Sequence, residues 1–219
     1  EQTPGSELIA IAGQFAEFDK FTEFSAAWDI DFRQIGRGAL NATLTQTVGE
    51  SWSLAKARFD RPAWQQGAAV PGMRTFAILD PNAPENDWCG VPFSPDSIAA
   101  FASDGEFQSI SQPGFDVYTL SFADEQLAAA CERLGIPDVT EKFSSSGVIL
   151  QMDRQQTSVL RQLVNSSMHV LCGTGSPGTG WTGNNHIRDK VADQLVMPLT
   201  ASVHLSRPPS QRSRSIATR

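Results

Sequence analysis

From Trp28 to Phe122 apolar and polar positions alternate in short runs. Leu40, Ala42, Leu44 and Val48 alternate with Asn41, Thr43, Thr45 and Thr47, the period of two that turns one strand face toward a core. Trp28–Ile35 alternates similarly and is the expected first strand. Trp52–Phe59, Met73–Leu79, Trp88–Phe93, Ser97–Ala102, Glu106–Ile110 and Phe115–Phe122 continue the series. Turn material such as Pro71-Gly72 and Asp80–Asp87 separates them. Strand signals about every eight to twelve residues, with no helical pattern between, predict an antiparallel barrel or sandwich. A small closed β-barrel is the expectation.

The flanks read differently. Phe15, Phe18, Phe21 and Phe24 recur every third residue, which fits a short helix over one barrel end or an irregular arm. Gly36 and Gly38 flank Arg37 and predict a tight turn or bulge into the second strand. Leu127, Ala128, Cys131 and Leu134 make an apolar stripe over 123–134, stopped by Gly135 and Pro137. Val148–Met152 is an apolar run that can pair back to the barrel. Asp153, with Gln156 three residues on, caps a helix over Asp153–Cys172. A second helix is expected from Asn184 or Asn185 to about His204, kinked or shortened by Pro198. Leu160, Leu163, Val164 and Leu171 on the first, with Ile187, Val191 and Leu195 on the second, are candidate dimerisation residues. An ordinary intramolecular core explains the same stripes equally well. The layout is therefore an arm over 1–27, a β domain over 28–152, a helical hairpin over 153–205 and a basic linker over 206–219.

Composition narrows the possibilities. The chain has 219 residues, 40% of them hydrophobic and 19% charged, as in an ordinary globular domain. No apolar run approaches the ~18–20 residues of a membrane span, and no membrane partner is expected. Cys89, Cys131 and Cys172 form neither a disulfide framework nor a zinc pattern, which points to the cytoplasm. The net charge is -7, yet Arg207, Arg212, Arg214 and Arg219 fall in a tail without acidic residues. The acidic body does not attract nucleic acid by its own field.

Candidate chemistry is sparse. Gly173-x-Gly175-x-x-Gly178 matches a dinucleotide fingerprint, but a helix rather than a strand precedes it and Pro177 interrupts it, so it reads as a linker. The three histidines, His169, His186 and His204, all lie in the helical half, so the strands lack the imidazoles that barrel metalloenzymes use. No catalytic residue, cofactor or metal is expected. Arg58, Trp64, Arg74, Phe76, Trp88 and Tyr118 are candidate barrel-interior ligand contacts, with Gln65, Glu106 and Trp52 beside them. Solvated arginines and core tryptophans are the competing explanation.

Several motifs carry a family resemblance. Gln34-x-Gly36-x-Gly38-x-Leu40, Arg58-Phe59-x-Arg61-Pro62, Pro71-Gly72-Met73-x-Thr75-Phe76, Trp88-x-Gly90 and Glu106-Phe107 before Pro113-x-Phe115 occur in order. From Phe24 to Arg219 the chain resembles the N-terminal sensor half of AraC-type bacterial transcriptional regulators. The resemblance implies a mainly β, α+β fold: a cupin-like antiparallel barrel, a helix and an αα-hairpin. It further implies a small-molecule effector, a homodimer, and DNA contact only through a separate C-terminal helix-turn-helix domain that is not in this chain. The rival readings are a stand-alone cupin-fold binding protein or enzyme, and an interaction domain with a solid barrel.

Overall fold

The computed structural model describes residues 8–25, 28–102, 105–143, 147–173, 181–201 and 203–206. Glu1–Glu7, residues 174–180 of the glycine-rich loop and the arginine-bearing tail from Arg207 lie outside the described residues. The described strands are β1 (Ile9–Phe15), β2 (Asp29–Gln34), β3 (Ala42–Val48), β4 (Trp52–Phe59), β5 (Ala63–Ala68), β6 (Arg74–Leu79), β7 (Asn86–Trp88) and β8 (Val91–Phe93). They continue with β9 (Ser97–Ala100), β10 (Glu106–Ser111), β11 (Phe115–Phe122), β12 (Val148–Gln151) and β13 (Val203–Ser206). Helices α1 (Phe18–Phe24), α2 (Asp124–Leu134), α3 (Arg154–Gly173) and α4 (Trp181–Ala201), with a 3-10 turn at Thr140–Phe143, complete the described elements.

The strands form two antiparallel sheets, not a closed barrel. A large sheet runs β1-β3-β4-β11-β6-β9-β12-β13 and a small one runs β2-β5-β10-β7-β8. The α+β class stands, while the expected closure does not. Alternation specifies which face of a strand is buried but not whether sheet edges meet. Gly36 and Gly38, at φ 89° and 119°, do not close a hairpin. They carry the chain from β2 in the small sheet to β3 in the large one. Gln34 Nε2 donates to Gly38 O at 2.9 Å and Arg61 Nε donates to Ala39 O at 3.0 Å, so the Gln34–Leu40 and Arg58–Pro62 motifs clasp this crossover.

Three layers follow. The small sheet is solvated on one face, and its strands alternate cleanly, as in the exposed–buried pattern of β10. The large sheet is covered on both faces, so β6 is buried at every position. Its inner face meets the small sheet through Leu44, Phe59, Ala77, Leu79 and Val117. Its outer face carries Trp52, Leu54, Phe76, Ile78, Tyr118, Leu120 and Phe122 against the helices.

The N-terminal segment is neither a pure helix nor an irregular arm. β1 pairs with β3 at the large sheet's edge, and α1 buries Phe18 and Phe21 over one end of the sandwich. Trp88–Phe93, expected as one strand, is a tight hairpin turning at Cys89 and Gly90, whose φ values are 53° and 78°. α3 is capped as expected: Asp153 Oδ1 accepts from the Gln155 and Gln156 amides at 2.9 and 3.1 Å. α4 continues through Pro198 to Ala201. His204 then sits in β13 instead of ending the helix, so one strand of the large sheet does carry a histidine.

Leu160, Val164, Val191 and Leu195 are fully buried against the large sheet, and Leu163, Leu171 and Ile187 pack at the margin of that core. The stripes read from sequence therefore fill the chain's own interior.

Candidate functional site

Inward-facing residues of the two sheets are set by pairing register. In the small sheet Phe32 pairs with Gln65, Gln65 with Ser109 and Ser109 with Trp88, giving one row across four strands. In the large sheet Gln46 pairs with Ala55, Ala55 with Thr119 and Thr119 with Ala77. This second row is dominated by small side chains. Opposed rows of an ordinary sandwich interdigitate across about 10 Å. Here alanines leave part of that depth unfilled.

The result is a partly open cavity of about 80 Å³. It lies between the sheets, lined by Gln46, Ala55, Ala57, Ala77 and Thr119 on one side and by Gln65, Trp88, Phe107 and Ser109 on the other. Phe21 of α1, with Trp28, Phe59, Phe93, Phe101 and Phe115, completes an aromatic wall. The wall is tightly coupled. Phe59 stacks on Phe115 at 5.1 Å and meets Phe18, Phe21 and Phe32 edge-on at 5.2, 5.1 and 5.7 Å. Trp88 and Trp28 both meet Phe101 edge-on. A Cβ at Gly147 would come within 2.3 Å of the Trp88 ring, so the glycine leaves room for the indole.

Polar satisfaction distinguishes this space from a plain core defect. Among the described residues, four buried side-chain atoms lack a hydrogen-bond partner: Thr47 Oγ1, Gln65 Nε2, Trp88 Nε1 and Asp116 Oδ1. Asp116 Oδ1 still lies 3.5 Å from the Lys56 ammonium, in an ion pair. Gln65 and Trp88 line the cavity and are 6% and 3% exposed. Ser109 Oγ is already engaged, donating to Asp87 O at 2.8 Å. No charged side chain lines the cavity among the described residues.

Of the six contacts picked from sequence, only Trp88 lies on this cavity, joined by Gln65. Arg58 is exposed. Trp64 alternates out of phase with Gln65 onto the solvent face, where the Arg33 guanidinium sits 5.4 Å from its ring; Glu106 is exposed on that face as well. Arg74 is buried but structural: it pairs with Asp124 of α2 at 2.7 Å and donates to Phe143 O at 2.8 Å. Phe76, Tyr118 and Trp52 belong to the helix-facing core. The structure does not bring the six together. Gln46, Ser109, Thr119 and the phenylalanine wall were missed, although strand parity carries the signal for Gln46, Ser109, Thr119, Phe59, Phe107 and Phe115, which occupy the same faces as Gln65 or Ala55; Phe21 of α1 and Phe101 beyond β9 carry no such signal.

A polar cluster occupies the helix-facing side of the large sheet. Lys56 Nζ donates to Tyr118 Oη at 2.7 Å, and Tyr118 donates to Asn165 of α3 at 3.4 Å. Burial opposes the Lys56 charge, but Tyr118 and Asp116 outweigh it and hold its pKa above the ordinary lysine value. Burial pushes the Asp116 carboxyl up despite Lys56. Arg161 of α3 donates from Nε to Leu79 O at 2.7 Å and from Nη2 to Pro95 O. It thereby fixes the helix to β6, whose Ala77 lines the cavity. Among the described residues no three His, Cys, Asp or Glu side chains converge as a metal site, and no helix is long and apolar enough to cross a membrane.

No protein-family model matches the chain, and no curated protein matches its sequence. Its fold is similar to that in the crystal structure of the AraC-like transcriptional activator CuxR. The likeness has a TM-score of 0.62 at 12% identity and covers 94% of this chain and 73% of that one. The chain thus shares, over most of its length, the fold seen in that AraC-like structure.

Proposed function

We propose that the chain is the effector-sensing and dimerisation region of an AraC-type transcriptional regulator, binding rather than transforming its ligand. DNA contacts in this reading belong to helix-turn-helix elements that are not among the described residues. The observation that carries it is the cavity between the sheets, bounded by aromatic side chains and containing unpartnered donors. Its hydroxyls, including Ser109 and Thr119, have no imidazole or carboxylate among the lining residues to activate them. Arg161 supports a relay, since a shift of β6 is felt by α3 through the Leu79 carbonyl.

With Leu160, Val164, Val191 and Leu195 spent inside the chain, a dimer contact on α3 uses its outward side. There Val159 and Val170 are 43% and 54% exposed and eleven residues apart, on one helical face.

The test fills the space. Ala77 is 4% exposed and lines the cavity. Ala77→Leu is expected to leave the fold intact while abolishing stabilisation by effector compounds. A compound present at about 100 times its Kd adds about 2.7 kcal/mol, worth roughly 5–10 °C in Tm for a domain of this size. A melting screen in which Ala77→Leu responds as the native chain does, or in which nothing in the panel raises Tm, contradicts the reading. Sedimentation equilibrium of the native chain tests the dimer: a monomer at high concentration removes that part alone.

A further inference from the structure

The inner row of the small sheet constrains what the cavity accepts. Gln65 and Trp88 stand on either side of Ser109, on strands two apart, which places their backbones about 10 Å from each other. Ser109 is small, and its hydroxyl donates to the Asp87 carbonyl at 2.8 Å, so on this row only a short, already engaged side chain separates Gln65 from Trp88. Gln65 Nε2 and Trp88 Nε1 are donors, buried and without partners among the described residues. A buried donor left unpaired is costly. An acceptor atom supplied by a ligand removes that cost.

The opposite wall limits the rest of the molecule. Ala55, Ala57, Ala77 and Phe59 present apolar surface, and among the described residues no cation lines the cavity to neutralise an acid. Bringing an anion into such a site carries its desolvation cost with no compensating charge. The volume of 80 Å³ corresponds to roughly five to eight water positions at 10–15 Å³ each. That suits one ring with a small substituent, and the aromatic wall offers faces and edges for it to stack against.

We infer that the ligand is an uncharged, single-ring aromatic molecule whose carbonyl or ether oxygen, or ring nitrogen, accepts hydrogen bonds in the space between Gln65 and Trp88. This rests on the effector-binding reading of the cavity and adds a chemical class to it. Carboxylates, phosphates and nucleotides are disfavoured for the same reason, with no charged side chain among the described lining residues.

The probes are acetophenone, its acceptor-less analogue ethylbenzene, and benzoate, each titrated into the native chain. Dissociation constants are followed together with the ¹H–¹⁵N resonances of the five tryptophan indoles. The Trp88 resonance is assigned by its loss in Trp88→Phe. Acetophenone is expected to bind about tenfold more tightly than ethylbenzene, the worth of one well-placed hydrogen bond. It should move the Trp88 indole proton downfield, and benzoate should not bind. Gln65→Leu should bring the acetophenone-to-ethylbenzene ratio toward one while retaining ethylbenzene binding. Equal binding of the two neutral probes overturns the acceptor contact, and preference for benzoate overturns the uncharged class; either leaves the cavity reading standing. If none of the three binds and the Trp88 resonance does not move, the inference and the effector reading fall together.

Discussion

Phe59→Ala is expected to destabilise the chain by about 3–5 kcal/mol, the usual cost of removing a fully buried phenylalanine. Phe59 is 1% exposed and is the common partner of Phe18, Phe21, Phe32 and Phe115. Its removal takes away transfer free energy and several ring contacts at once, each aromatic pair contributing about 0.5–1.5 kcal/mol beyond area. It also unseats α1, whose buried Phe18 and Phe21 pack on it. The same truncation joins new space to the cavity. A ring-sized neutral compound such as acetophenone should therefore recover more stability in the variant than in the native chain, because burying a ligand ring refills the hole. Denaturant unfolding with and without the compound reads both effects. A loss below about 1 kcal/mol would mean that Phe59 is not the centre of the wall.

Arg161→Met is the second large effect, expected at about 2–4 kcal/mol. A buried acceptor, Leu79 O, and a part-buried one, Pro95 O, lose their donor together, and an unpaired buried group costs about 1–3 kcal/mol, less where water reaches it. Part of this is offset, because burial already works against the Arg161 charge and lowers its pKa, with Asp80 and Asp96 acting the other way. The functional consequence is the sharper one. If α3 senses the cavity through β6, the variant should bind acetophenone much as before, since Arg161 is not among the lining residues. Hydrogen exchange along α3 should then no longer change on binding. An α3 response identical to that of the native chain would remove Arg161 from the relay.

The sequence shows most of the strands and little of the site, for one physical reason. Period-two alternation records local burial, so β2, β3 and β10 were legible to within a few residues, while β4, β6 and β11, covered on both faces, were legible as short apolar runs between turn signals. β5 was not, because Ala63-Trp64-Gln65-Gln66-Gly67-Ala68 puts Gln65 and Gly67 on the inner face and the larger Trp64 outside, against the usual sense. Gly67 is needed there, since a Cβ would fall 1.9 Å from Asp29 O across the strand pair. Sheet partition was illegible for another reason. Which strands pair is decided by long-range contacts, so the Gly36–Gly38 crossover looked like a hairpin. In choosing site residues, size and charge were misleading guides. Arg58, Arg74 and Tyr118 stand out by chemistry, but the arginines serve solvent and a helix staple, and Tyr118 joins α3. The cavity is made by Ala55, Ala57 and Ala77, residues that attract no notice alone and matter only when register aligns them opposite Gln65 and Trp88.

The helical half follows the same logic. Leu160, Val164, Val191 and Leu195 form apolar stripes whether their partner is a sheet or a second chain. The structure places the sheet against them, because the large sheet's outer face bears Phe76, Ile78 and Leu120 and requires cover.

The central claim, that the two sheets leave unfilled apolar space between them, is tested most directly by a crystal of the native chain pressurised with xenon. Apolar cavities take up xenon without needing specific chemistry. The account predicts an anomalous xenon peak between the sheets, in contact with Ala55, Ala77 and Phe59. Sheets packed in direct contact there, with Trp88 or Phe59 turned into the space and no xenon between them, would contradict it.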